Sequence, residues 1–149
     1  MLQETLLEFF ERDLNKLYSE IELYENESQL WIVKEGITNS AGNLCLHLIG
    51  NLRHFIGAIM GKSGYVRERD KEFTLKNISK KDLLDAINDT KSLVIKILSN
   101  INQEDLDKNY PIEKHDKIVT NENMLVHLFG HLSYHLGQIN YHRRLLAIS

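Results

Sequence analysis

The stretch Thr120 to Leu146, TNENMLVHLFGHLSYHLGQINYHRRLL, decides the fold class. It repeats apolar residues at the three-to-four spacing of an amphipathic helix and opens on Thr120, a good N-cap. It also sets His127, His131 and His135 at four-residue intervals. Three earlier segments show the same apolar spacing and the chain holds one proline, Pro111, so an all-α fold follows. The expected architecture is a four-helix bundle with long connecting loops, a single domain over residues 1–149.

Working outward, the first helix is expected from Leu2 to Tyr24, with Leu2, Leu6, Phe9, Leu17, Ile21 and Tyr24 on its apolar face and charge on the other. The second runs from Ser40 to the glycines Gly61 and Gly64, which suit a helix stop, and buries Leu44, Leu48, Leu52, Phe55, Ile56 and Ile59. The third opens at Ser79, whose hydroxyl and Asp82 three residues on resemble a capping box, and continues through Leu83, Ile87, Val94 and Ile97 to Asn100. The connections 26–39, 62–78 and 101–119 exceed the usual helix–helix loop, and they hold Trp31, Arg67, Arg69 and Tyr110. Loops of that length could roof one end of the bundle.

Six of the seven histidines fall on the second and fourth helices. Four residues turn a helix by about 400°, so His127, His131 and His135 form a drifting row with neighbours about 6 Å apart along the axis, and adjacent members can share a metal ion. A third ligand must come from another helix. His47, set among Leu44, Leu46, Leu48 and Ile49, is the best candidate, with His54 two turns on as the reserve. Three histidines without a fourth protein ligand leave a position open to water or substrate, the pattern of catalytic zinc. No Glu stands three residues before a helical His, and no His-Glu-x-x-His motif occurs, so di-iron and zinc-protease readings fail. Any one of these histidines alone would read more simply as a satisfied core residue. As a set, buried without a common partner, they would leave several polar groups unpaired at about 1–3 kcal/mol each.

Several stretches together resemble the DinB-like superfamily, especially its small bacterial branch. They are Leu30-Trp31 with Glu35-Gly36-Ile37, Asn39 through Leu48, Asn51-Leu52-Arg53-His54-Phe55, Arg67-Glu68-Arg69-Asp70 with Glu72-Phe73, and His131 through Ile139. The His-x-x-x-His-x-Gly-Gln pattern of that last stretch is the most specific. The resemblance implies a four-helix bundle whose metal pair precedes Gly137-Gln138, namely His131 and His135, with His47 as the third ligand. It also implies one divalent transition metal, zinc or nickel, and a homodimer. Relatives in that superfamily include S-transferases using bacillithiol or glutathione-like thiols and a mycothiol-dependent maleylpyruvate isomerase. The expected function is therefore a metal-dependent enzyme performing thiol-dependent S-transferase chemistry on a small-molecule electrophile, with a low-molecular-weight thiol as co-substrate. The other reading is a non-catalytic metal- or ligand-binding dimeric bundle.

Around the triad, Asn51 and Gln138 lie one turn from His47 and His135 and could fix an imidazole or reach a bound water, while His54 and His127 could act from just outside it. Arg67 and Arg69 could hold the carboxylates of a thiol or acidic substrate, or belong to a solvated charge run. Tyr134 and Tyr141 could orient a ligand, although aromatics at helical spacing are more often core. Cys45, two residues before His47, should face away as a buried apolar group. As the only cysteine it forms no intrachain disulfide, which points to the reducing cytoplasm. Net charge is −3 with 18 basic and 21 acidic residues dispersed along the chain, so no basic stripe exists for nucleic acid. No apolar run approaches the ~20 residues of a membrane span.

Overall fold

The computed structural model describes residues 1–148, and among them the regular structure is entirely helical apart from two isolated bridges, Asn109 with Thr120 and Lys114 with Lys117. In order come α1 (Leu2–Glu22), α2 (Ala41–Leu52, continued by a π-helical stretch Arg53–Met60), α3 (Arg69–Thr74), α4 (Lys80–Ser99), α5 (Gln103–Asp107) and α6 (Asn121–Ile148). A 3-10 turn, Glu27–Trp31, lies between α1 and α2. The helix starts are where short polar side chains predict them. Ser40, Ser79 and Thr120 accept the backbone N–H of Asn43, Asp82 and Asn123 at 3.2, 3.1 and 3.1 Å. Among the described residues no helix is long and apolar enough to cross a membrane.

α1, α2, α4 and α6 form the bundle, with α1 against α4 and α6, and α2 against those same two helices. Thus α1 faces α2, and α4 faces α6, across the diagonals. This explains two of the long connections, since 23–40 and 100–120 must each cross the bundle end rather than turn to a neighbour. Both are seated on the core. The Trp31 ring lies against Gly42, where a Cβ would meet it at 2.7 Å, and buried Tyr110 donates its hydroxyl to the Phe55 carbonyl of the π stretch at 2.7 Å. The connection 61–79 joins neighbouring helices and owes its length to α3.

Two apolar stripes are rotated from their expected positions. Phe10, not Phe9, is the fully buried ring of α1, and Leu98 rather than Ile97 closes α4. Phe9 sits at the helix margin, covered by Phe129 at 5.6 Å and by the Arg12 guanidinium at 4.5 Å. Tyr134 and Tyr141 are not core: they stand 65% and 64% exposed. At the stop after α2, Gly61 keeps right-handed backbone, and the left-handed residues follow it: Lys62 at φ 52° and Gly64 at φ 82°. Gly61 is needed for space, its missing Cβ leaving room for the Ile97 side chain.

Truncating a fully buried aromatic removes its burial and leaves a cavity, so Phe10→Ala should lower unfolding free energy by about 3–5 kcal/mol. Phe9→Ala should cost clearly less. Urea denaturation of both variants checks this, and equal losses would contradict the rotated stripe.

Candidate metal centre

His47 on α2 and His131 and His135 on α6 come together between the two helices, where each offers one ring nitrogen and all three nitrogens lie within 4.8 Å of one another. The Nε2 atoms of His47 and His131 are 3.0 Å apart. Tetrahedral zinc with three imidazoles would space its nitrogens by about 3.4 Å, within the range these donors span. These three residues could hold a metal ion.

The chain also fixes which nitrogens face inward. His47 Nδ1–H donates to Glu72 Oε1 at 3.0 Å, and His135 Nδ1–H donates to Gln138 Oε1 at 2.7 Å, because a carboxylate and an amide oxygen can only accept. Both rings are thereby held in the tautomer whose Nε2 carries a lone pair, the arrangement of a carboxylate–histidine–metal unit. At 3.0 Å from His131 Nε2, the His47 lone pair can accept the single N–H of neutral His131, or both rings can turn lone pairs to one cation. Burial first, then the neighbouring His135 and His47, push His131 down to about 4, and burial also lowers His47 despite its bond to Glu72. His131 Nδ1 is buried without a partner among the described residues.

Glu72 is the residue that sequence reasoning missed. It lies on α3, inside a stretch expected to be loop, and is itself buried. Arg67 grips it with a two-pronged bond, Nε to Oε2 at 2.8 Å and Nη2 to Oε1 at 2.9 Å. Asn43 ties α3 down by donating to the carbonyls of Glu72 and Leu75 at 3.0 and 2.9 Å. Gly50 lets the carboxylate lie directly on α2, since a Cβ there would overlap it. Phe73 adds its ring 4.9 Å from that of His47.

The remaining candidates are dispersed. Arg67 is committed to Glu72 rather than to a ligand, and Arg69 is exposed, resting on the Phe73 ring at 5.2 Å. Asn51 is buried with its Oδ1 unpartnered among the described residues. His54 meets the Phe55 ring edge to face at 4.7 Å; seven residues past His47, it lies about 10 Å further along the axis, too far to share an ion. His127 is exposed and meets the His115 ring at 5.9 Å, the row having drifted off the α2-facing side. His142 is a satisfied core residue, accepting from the Tyr24 hydroxyl at Nδ1 (2.6 Å) and donating from Nε2 to the Ile32 carbonyl (2.9 Å). Cys45 is fully buried, and burial pushes its thiol up to about 12, which leaves it inert.

His135 and Gln138 also form one wall of a cleft of about 400 Å³, whose other walls come from residues 36–39 and from Leu44 and Tyr141. A donor histidine therefore borders space large enough for a small molecule.

Residues 6–148 match the profile of a family described as "Protein of unknown function (DUF1572)". The chain belongs to that family. No curated protein matches it. All three donor histidines, with Glu72, Arg67 and Gln138, lie inside the span shared with the DUF1572 family.

If Glu72 orients His47, Glu72→Gln and Gly50→Ala should each weaken zinc binding by about 10–100-fold while leaving helical content intact. Competition titration with a chromophoric chelator checks this, and parent-like affinity in both variants would remove Glu72 from the site. A second expectation concerns acid and the metal-free chain. His131 ionises in the unfolded chain near its ordinary 6.5 but near 4 when folded, so between those values the unfolded state binds more protons. Folding stability should therefore fall as pH drops from about 6.5 to about 4 and level off below. Denaturant titrations across that range test the sign.

Proposed function

We propose that the chain is a DinB-like metal-dependent enzyme that binds one divalent transition ion, zinc or nickel, on His47, His131 and His135, and transfers a low-molecular-weight thiol to a small electrophile. The observation that carries this reading is a donor set that ends at three imidazoles, one of which, His135, also borders a cleft. Structural zinc takes four protein ligands, whereas catalytic sites keep a position open. Glu72 is no fourth ligand, because both its oxygens are engaged by Arg67 and His47.

When bound, an ion at such a donor set lowers the pKa of a thiol or water that fills its open position. The same engagement that keeps Glu72 off the ion also keeps it from acting as a general base. This favours a thiol, which ionises near 8.5, over water, which needs far more activation. Glu72 and Gln138 supply orientation, holding two imidazoles before any ion arrives so that little ordering remains to be done. Phe73 covers His47, and the cleft offers room for the electrophile beside His135.

Gently purified protein should contain, or take up, about one equivalent of zinc or nickel. His47→Ala, His131→Ala and His135→Ala should each abolish tight binding, while His127→Ala and His115→Ala stay within a few-fold of the parent. Zinc- or nickel-loaded protein should accelerate the reaction of a low-molecular-weight thiol with monobromobimane above a His131→Ala control. Uptake below about a tenth of an equivalent would sink the site and the enzyme together. Stoichiometric metal with no acceleration by any thiol would leave a binding module.

A further inference from the structure

The cleft beside His135 has a chemical character that the donor set does not dictate. A quarter of the chain's residues are charged, yet none of the described residues lining this cleft is Asp, Glu, Lys or Arg. The other large clefts differ: the one beside His127 carries Lys114 and Glu122, and the one between α1 and α6 carries Arg12, Lys16 and Glu20. Here the lining includes the aliphatic side chains of Ile37, Leu44 and Leu145. Tyr134 and Tyr141, two helical turns apart on α6, add two largely exposed rings to the lining. The polar contribution comes from the Thr38 hydroxyl, the amides of Asn39 and Gln138 and the imidazoles of His135 and His142.

Arg144 lies on the Tyr141 ring at 5.4 Å, and Lys34 lines a small adjoining cavity that shares Ile37, His142 and Leu145 with this cleft. In the metal-free chain an anion entering the cleft would shed water with no lining Lys or Arg to replace it, a cost that an uncharged molecule avoids. At about 400 Å³ the space is at the small end of ligand pockets, which run from about 300 to 1,000 Å³.

We infer that this cleft binds an uncharged, largely apolar small molecule with a flat face that stacks on Tyr134 and Tyr141, and that it discriminates against carboxylates. That this molecule is the electrophilic substrate rests on the metal-dependent reading above; the preference of the cleft does not.

The test uses a matched pair of probes, naphthalene-2-carboxamide and naphthalene-2-carboxylate, which share a ring system and differ in charge. Affinities are measured by equilibrium dialysis for the full chain with zinc, for the full chain stripped of metal, and for His131→Ala, with zinc content read on the same samples. The amide should bind all three forms, and in the two metal-free forms it should bind at least about tenfold tighter than the carboxylate. Tyr141→Ala should weaken the amide about tenfold, and Leu145→Lys or Thr38→Lys, both at exposed positions, should erase or invert the preference. Carboxylate binding equal to the amide in the metal-free forms overturns the inference. So does stoichiometric zinc with no amide binding, which leaves the metal site standing. Amide binding without zinc uptake upholds the cleft and removes the metal reading instead.

Discussion

Withdrawing imidazoles from water between two helices leaves ring N–H groups in need of acceptors, and much of this structure follows from meeting that need at His47. His47 cannot lie in the α2/α6 seam with an unmet Nδ1–H, so a carboxylate must reach it. A buried carboxylate in turn needs a cation, which Arg67 supplies through two parallel bonds. The pair needs a backbone to carry it, and α3 is that backbone, pinned by Asn43 and admitted to the surface of α2 by Gly50. A connection between neighbouring helices would otherwise need only a few residues. Its actual length is the cost of bringing one carboxylate to one histidine.

The legible parts of the sequence were those governed by a period. The four long helices, their polar caps and the position of His47 in an apolar helix all follow from spacing, and Gln138 was within reach because three residues separate it from His135 on one helical face. Glu72 obeys no such rule. It belongs to a six-residue helix inside a charged run, and from sequence that run reads equally well as solvated; only the fold shows that Glu72 turns inward while Arg69 and Asp70 stay in water. Arg67 was singled out for the right chemistry, bidentate recognition of a carboxylate, but the carboxylate is the protein's own. The nearest available signal was Gly50, a glycine in mid-helix, where absence of a side chain often marks a close approach by something else.

Single-residue rotations mark the other limit. Phe9 and Phe10 both fit an amphipathic pattern, and the choice between them depends on Phe129 arriving from a helix more than a hundred residues away. Tyr134 and Tyr141 share the spacing of core residues yet line a cleft, since α6 is covered by α1 and α2 on one side only. The histidine row posed the same ambiguity in milder form. Drift of the four-residue repeat carries His127 toward His115 and solvent, and the seam with α2 selects His131 and His135.

The diagonal crossings have a consequence in time as well as in shape. Because the chain steps from α1 to the opposite corner and later from α4 to the opposite corner, partners across the seam are remote, His47 and His131 being 84 residues apart. Bundles closed by such distant contacts pay loop-closure entropy before those contacts reward it, and they fold more slowly than bundles whose successive helices are neighbours. If the seam between α2 and α6 forms late, its contacts are missing from the folding transition state. Interactions absent from the transition state retard unfolding rather than hasten folding. An ion captured in that seam would act as a kinetic latch, lengthening the lifetime of the folded chain while leaving its refolding rate almost untouched.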